Sequence, residues 1–284
     1  MLRDVLDRAS DVVDNRASPR HISWQMDFLR ECAVRHGVPV HGATHLDVGC
    51  GAATPFSRMF GHLLAGAKEG ICLELEPIRD LGEAVLHLAR IAATVAIDPS
   101  IVFPNRTITN RECLANVGDF DLAKLANRDA SGLNAGRLQF LQRSADDTGL
   151  ANQSIDLVVS NSLLEHVPDP EGAVRELARI TKPGGFAIHG IDVADHRWYA
   201  DPSISRLEFL TLESASPIVH HCNRLRLCDF ESIFEKHGFH TVERRPDACH
   251  AVPPELRMRL QPTWKALSDL ELGTTWCVYV FRKV

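Results

Sequence analysis

The sequence has no Cys-x-x-Cys pair, no run of basic residues and no apolar segment that reads as a membrane span. Without a signal peptide, its eight cysteines predict reduced thiols in a cytoplasmic protein. The net charge is −6 and no patch combines basic and aromatic residues, which argues against a nucleic-acid partner. The most apolar long segment, residues 81–97, is interrupted by Glu83, His87 and Arg90, so it predicts a core helix rather than a membrane span.

The composition is that of a globular protein, because 45% of the 284 residues are hydrophobic and 24% are charged. Apolar residues at helical spacing predict a helix near residues 2–13 and a second over 22–36, with Trp24, Phe28 and Leu29 on its apolar side and Gly37 at its end. We predict a single domain, with N-terminal helices over 1–40, a core over 41–192 and a last part over 193–284.

Residues 44–56 have the pattern of a buried strand, a glycine turn and the start of a helix. Gly49 and Gly51 permit a tight turn, and without Cβ atoms they let a ligand lie against the backbone. Asp47 stands at the carboxyl end of the strand, where ligands bind in open α/β sheets. The stretch therefore predicts a binding site that begins at Asp47.

The residue at position 54 indicates which of two kinds of ligand the turn binds, a dinucleotide or a ligand with a cationic amine. A dinucleotide fingerprint would have a third glycine there, and Thr54 counts against a bound pyrophosphate and so against a nicotinamide oxidoreductase. Thr54 instead predicts a helix cap, with Pro55 in the first turn of a helix over 55–65. An acid just before the turn suits a cationic amine.

The run Asp47-x-Gly49-x-Gly51-x-Ala53 resembles the first motif of the class I S-adenosylmethionine-dependent methyltransferases. Ala53 stands where that motif usually has a third glycine. The resemblance implies that S-adenosylmethionine is the cofactor and S-adenosylhomocysteine the product. It also implies that Asp47, Gly49 and Gly51 contact the cofactor.

Residues 70–77 predict a second short strand with Glu74 at its tip. The resemblance implies that this acid accepts hydrogen bonds from both ribose hydroxyls, for which a carboxylate has two oxygens. Glu74 also lies close to the spacing of roughly 20 residues expected after the turn. Glu76 is the alternative, and we favour Glu74 because Glu-Leu-Glu-Pro matches the family's Asp-x-Ser-Pro with Glu74 first.

A helix over 80–97 leads into a long irregular segment, residues 98–136, before a third strand over 137–142. We interpret the segment as an insertion, partly helical around 111–125, that contributes to the acceptor pocket. After the strand, the family's Asp-Ala pair for the adenine is replaced by Ser144-Ala145-Asp146. Two arrangements stay open: Asp146 contacts the adenine, or Ser144 and the backbone hold it.

Residues 155–185 carry the most specific resemblance to the methyltransferase core, over about thirty residues. They predict a fourth strand over 154–161, a helix over 171–182 and a fifth strand over 186–191. The resemblance implies that Asn161 faces the sulfonium and its methyl group. Glu165 and His166 would line the floor of the pocket or its acceptor side.

The remaining pattern predicts a helix over 229–237 and two strands over 239–244 and 275–281. Together with the resemblance, it implies an α/β fold: a Rossmann-like, seven-stranded, mostly parallel sheet whose last strand is antiparallel, with N-terminal helices and a helical insertion.

The chemistry expected of the acceptor directs attention to histidine. A hydroxyl acceptor must lose a proton, and histidine is the natural base near neutral pH. We predict His196 as the catalytic base, with His166 second. His220 and His221 are further candidates, and His189, within a strand, is expected to be a packed core residue.

The sequence also contains residues of the types that bind metals, but their spacing does not match a known metal-binding motif. Asp192, Asp195, His196 and residues 220–222 match no zinc pattern. Asn161 stands where metal-dependent catechol-type relatives need an acid. The sequence therefore predicts no metal site.

We predict a methyltransferase for a small-molecule acceptor, with a hydroxyl oxygen of a secondary metabolite or saccharide as first choice. The alternatives are transfer to nitrogen or carbon, or a non-catalytic subunit that binds S-adenosylmethionine. The expected partner is the small acceptor, with no nucleic acid and no membrane, and a homodimer stays open.

Overall fold

The computed structural model describes residues 18–105, 108–213, 222–246 and 249–284. Its strands are β1 Thr44–Val48, β2 Glu69–Glu74, β3 Leu138–Gln142, β4 Ile155–Asn161, β5 Thr181–Asp192, β6 Phe239–Pro246 and β7 Trp276–Lys283. Within the described residues these seven strands form one sheet in the order β3-β2-β1-β4-β5-β7-β6. β1, β2 and β3 pair in parallel, whereas β7 is antiparallel to β5 and to β6. The predicted fold class is confirmed.

The chain divides into two compact units. The first unit comprises Met1–Ser144 and Thr148–Val158, and the second comprises Ala145–Asp147 and Val159–Val284. The helices of the first unit are α1 Ser23–His36, α2 Ser57–Leu64, α3 Leu81–Ile97, α4 Asn110–Ala115 and α5 Leu122–Ala126. Those of the second are α6 Pro170–Ile180, α7 Arg197–Ala200, α8 Leu227–Lys236, α9 Pro254–Arg259, α10 Pro262–Lys265 and α11 Asp269–Gly273. In the described part of the chain, no helix is long and apolar enough to cross a membrane.

The N-terminal helices agree with the sequence in part. The helix predicted near residues 2–13 lies outside the described residues. α1 ends at Gly37, whose φ of 73° is left-handed, as the sequence predicted. Its apolar side buries Phe28 and Leu29, but Trp24 is 44% exposed, so the prediction that Trp24 packs there was wrong.

The helix after the glycine turn starts later than predicted. α2 begins at Ser57, and its N-cap residue Phe56 makes no side-chain capping bond. Thr54 does not act as the cap: its carbonyl accepts hydrogen bonds from the backbone N–H and the hydroxyl of Ser57. A backbone turn therefore satisfies the helix start in place of a side chain.

The predicted insertion, residues 98–136, forms two short helices, α4 and α5, where one stretch around 111–125 was expected. Cys113 and Val117 are fully buried, and the ring of Phe120 packs edge-on against Phe60 of α2, with 5.6 Å between centroids. The segment thus completes the core of the first unit, and its role in acceptor binding stays a prediction.

The second unit is organised around the antiparallel pairing of β5, β7 and β6. β5 begins at Thr181, earlier than predicted, although its pairing with β7 begins at Phe186. A small apolar cluster joins the segments that follow β5 and β6. Its buried members are Leu207, Phe209, Leu210, Cys222, Leu256, Leu260 and Leu272.

Candidate active site

The glycine turn is fixed to the neighbouring strand. Gly49 and Gly51 have φ values of 71° and 80°, a left-handed backbone that glycine adopts without strain. The N–H groups of Gly49 and Cys50 donate to the carbonyl of Leu73, at 2.8 and 3.2 Å. A Cβ atom added to Gly51 would meet nothing within 4 Å. The turn therefore presents open space beside its backbone, as a ligand needs for a close approach.

Glu74, the last residue of β2, is held against this turn. Its Oε2 accepts a hydrogen bond from the N–H of Gly51 at 2.8 Å, and its Oε1 accepts one from the N–H of Leu75 at 2.8 Å. Oε1 also accepts a long hydrogen bond from the N–H of Glu76, at 3.5 Å. Oε2 can accept a further hydrogen bond, and a ribose hydroxyl could replace the long one at Oε1. The structure thus places Glu74 at the glycine turn, while Glu76 is exposed in the loop that follows.

Asp47, in β1, is 2% exposed and forms an ion pair that sequence reasoning missed. Arg58 in α2 donates from Nη1 to Oδ1 of Asp47 at 2.7 Å, and its Nε donates to Gln25 at 3.1 Å. Burial raises the pKa of Asp47 to about 6, Arg58 opposes this rise and Glu74 adds to it. A cofactor amine would share Asp47 with Arg58. The sequence offered one signal, a basic residue in the first turn of the helix after the motif.

The donor and acceptor groups of the first unit fit S-adenosylmethionine. The cofactor has a cationic amine, which suits the buried carboxylate of Asp47, and two ribose hydroxyls, which suit the two oxygens of Glu74. The open space at Gly51 leaves room for it to approach the backbone.

Ala145, Asp146 and Asn161 belong to the second unit, and their predicted cofactor contacts stay predictions. Ala145 is buried and Asp146 is exposed. Asn161 ends β4 against Gly190 of β5, where a Cβ atom would stand 2.6 Å from Oδ1 of Asn161. That Oδ1 is buried and has no hydrogen-bond partner, so an amide oxygen with unused acceptor capacity stands at the end of this strand.

The second unit also gathers the residues that we call the histidine cluster: Glu165, His166, Asp192, His196, Tyr199 and Cys222. They come from the turn Leu164–His166 after β4, the end of β5, the start of α7 and the segment before α8. The rings of His166 and His196 stand edge to face, with 4.8 Å between centroids. The structure therefore brings together the two histidines predicted to be catalytic.

Asp192 is the acidic centre of this cluster. Its Oδ1 accepts a hydrogen bond from the N–H of Ala194 at 3.0 Å, and its Oδ2 accepts one from the hydroxyl of Tyr199. Nε2 of His196 lies 3.5 Å from Oδ2, the distance of an ion pair. Asp192, and after it Cys222, raises the pKa of His196 to about 10. The proton on His196 must leave before this imidazole can act as a base.

Glu165 supplies a second buried carboxyl group, 2% exposed. Burial raises its pKa to about 8, so the group is mostly protonated at neutral pH. Its Oε1 accepts a hydrogen bond from the N–H of Asp192 at 3.3 Å, and its Oε2 is buried without a hydrogen-bond partner.

The other histidine candidates are His189, His220 and His221. His189 is fully buried in β5, with Nδ1 2.7 Å from the hydroxyl of Ser160 and its ring against Phe234, as expected of a packed core residue. His220 and His221 lie outside the described residues. Sequence reasoning did not select Cys222 together with His166, because the ligand-type residues of the cluster come from segments far apart in the chain.

Comparisons with known proteins point to methyltransferases. A family model described as a methyltransferase domain matches residues 107–189. A ubiquinone biosynthesis O-methyltransferase of Albidiferax ferrireducens is 28% identical over 164 residues, 58% of this chain and 47% of the relative. One of Ralstonia nicotianae is 40% identical over 78 residues, 26% of this chain and 33% of the relative. The chain thus matches less than half the length of these curated relatives.

Solved structures resemble the chain over most of its length. A putative sarcosine dimethylglycine methyltransferase from Galdieria sulphuraria is 16% identical, with a TM-score of 0.49 over 97% of this chain and 90% of that one. The family match covers part of the chain, and the observed sheet order is that of the Rossmann-like fold of class I methyltransferases.

Proposed function

We propose that the protein transfers a methyl group from S-adenosylmethionine to a hydroxyl oxygen of a small-molecule acceptor. The observation that carries the proposal is the carboxylate of Glu74 held on the N–H of Gly51, beside open space at the glycine turn. In this proposal Glu74 binds the ribose, and Asp47, paired with Arg58, binds the amino group. Ala145, Asp146 and Asn161 complete the cofactor contacts as the family pattern implies.

The histidine cluster is proposed to receive the acceptor. When bound, the cofactor supplies an electrophilic methyl group on a sulfonium. The protein's own contribution is to align the acceptor oxygen, exclude water and help the hydroxyl lose its proton. His196 and His166 are the predicted residues for the proton, and Asp192 orients His196.

The choice of oxygen rests on two observations. The cluster combines histidine rings with a carboxylate. A hydroxyl acceptor needs such groups to remove its proton, whereas an amine that is already neutral does not. Two relatives with a named activity are ubiquinone biosynthesis O-methyltransferases, although they match over only part of their length. Transfer to nitrogen or carbon is the alternative.

The cofactor assignment is tested by calorimetric titration of the purified protein with S-adenosylmethionine, S-adenosylhomocysteine and NADH. We expect both sulfur compounds to bind with micromolar affinity and NADH not to bind. Glu74→Ala should weaken both at least tenfold, about 1.4 kcal/mol, because it removes two charge-assisted hydrogen bonds to the ribose.

Glu76→Ala is the matched control, since it removes an exposed carboxylate two residues away. It should bind both compounds like the wild-type protein. Equal losses in the two variants would show that the loop's overall charge, and not Glu74, holds the cofactor. Tight binding of NADH would overturn the proposal.

A further inference from the structure

Three side chains of the histidine cluster have the arrangement of metal ligands. One ligand atom each from His166, His196 and Cys222 lies within 4.8 Å of the other two. Around a tetrahedral zinc ion such atoms stand roughly 3.3 to 3.6 Å apart, so rotamer adjustments on the order of 1 Å would close the set.

The ligands come from separate segments of the chain, and hydrogen bonds connect two of these segments. The side chain of Asn223 donates to the carbonyls of Leu164 and Val167, at 2.8 and 3.1 Å. Its backbone N–H donates to the carbonyl of Glu165 at 2.8 Å. Asn223 thereby fixes Cys222, its neighbour in the chain, to the turn that carries His166. These hydrogen bonds hold His166 and Cys222 near each other, although the two residues are 56 positions apart in the sequence.

The third ligand is positioned by a carboxylate. Nε2 of His196 lies 3.5 Å from Oδ2 of Asp192, the distance of an ion pair, so this carboxylate fixes the orientation of the ring. Oε2 of Glu165, a residue only 2% exposed, has no hydrogen-bond partner. Buried polar atoms are rarely left unpaired, so this oxygen indicates that the cluster lacks a ligand. A carboxylate beside a ligating histidine is also the usual support of a metal site.

We propose that His166, His196 and Cys222 bind a divalent transition-metal ion of the zinc type. Two imidazoles and a thiol are borderline-soft donors, which suit zinc and its neighbours and do not suit magnesium or calcium. Three protein ligands leave one position open, as in catalytic zinc sites. This inference rests on the proposed function and deepens it, because an open position can take an atom of the acceptor.

The ion gives the proposed transfer a way to prepare its acceptor. An oxygen or sulfur of the acceptor at the open position loses its proton more readily, because the cation stabilises the anion. With both histidines bound to the ion, the proton passes to solvent, and the ion takes over the role that His196 and His166 have without it. The bond from that atom to the methyl group then forms as the methyl–sulfur bond of the cofactor breaks, which leaves a neutral thioether. The inferred substrate class is a small alcohol, phenol or thiol.

Cobalt(II) provides the test, because it replaces zinc and reports its ligands by absorption. Metal-free protein titrated with cobalt(II) should bind one equivalent per chain, with a thiolate charge-transfer band in the near ultraviolet and visible bands of tetrahedral intensity. Zinc should displace the cobalt. Cys222→Ser should abolish the charge-transfer band, and His166→Gln and His196→Gln should each weaken binding at least tenfold.

Cys113→Ser is the matched control, since it alters an equally buried cysteine in the first unit and should keep the full cobalt spectrum. Binding of S-adenosylhomocysteine, measured on the same samples, separates the two proposals. A protein that binds the cofactor product but no stoichiometric metal would overturn the metal site alone. A charge-transfer band that survives in Cys222→Ser would also overturn it.

Discussion

At the residue scale, Asp47 shows how burial turns a motif acid into a pH-sensitive group. A carboxylate that is removed from water favours its neutral form. Arg58 offsets only part of this effect, and the nearby Glu74 works against Arg58, so the pKa of Asp47 stays at about 6. Asp47 therefore changes charge close to neutral pH, while the amine of the cofactor keeps its proton below pH 7.

Cofactor affinity should consequently fall in mild acid. Between pH 7 and pH 5 we expect the dissociation constant of S-adenosylhomocysteine to rise about tenfold, because only about one Asp47 in ten is ionised one unit below its pKa. Calorimetric titration at half-unit intervals measures this. Asp47→Asn should bind weakly at every pH with a flat profile. A flat profile in the wild-type protein would remove Asp47 from the amine site.

At the element scale, a buried arginine connects the parts of the second unit. Arg226 precedes α8 and is fully buried. Its guanidinium donates to the carbonyl of Val193, just after β5, and to those of Leu272 and Thr274, between α11 and β7. Burial lowers its pKa to about 10, which still leaves it charged at neutral pH. One side chain thus donates to three backbone carbonyls from separate segments.

Replacing this side chain should be costly. Arg226→Met is expected to lower the free energy of unfolding by about 3 kcal/mol, because it leaves buried carbonyls without donors. Urea denaturation measures the loss. Arg245→Met, which removes a partly exposed partner of Glu243 in β6, should cost about 1 kcal/mol or less. Equal losses in the two variants would contradict the structural role given to Arg226.

At the scale of the whole molecule, the sequence predicts one domain, and ligand binding should act on it as one. We expect a single cooperative thermal transition. S-adenosylhomocysteine at about 100 times its dissociation constant should raise the free energy of unfolding by roughly 2.7 kcal/mol and the melting temperature by several degrees. Differential scanning calorimetry measures both.

NADH at the same concentration should leave the transition unchanged, and Glu74→Ala should lose most of the shift caused by S-adenosylhomocysteine. Two separate transitions, of which only one responds to the ligand, would contradict the single-domain prediction. They would instead indicate that the two compact units unfold independently.

Much of the fold could be predicted because its signals are local. Apolar runs, the glycine turn and residues 155–185 predicted every strand of the described residues, although β5 begins before its predicted start, and Gly37 fixed the end of α1. The local sequence pattern gave a wrong prediction at the start of α2, where the backbone geometry decides how the helix is capped. Thr54 had the right side chain for a cap, yet its carbonyl serves the helix start instead.

The sequence by itself determined the individual strands, the position of Glu74 at the tip of β2 and the resemblance to methyltransferases, since each depends on residues close together in the chain. Only the tertiary structure decided that Arg58 pairs with Asp47 and that His166, His196 and Cys222 converge. These contacts depend on how separate segments pack. The number of residues between two segments does not tell how far apart they lie in the folded protein.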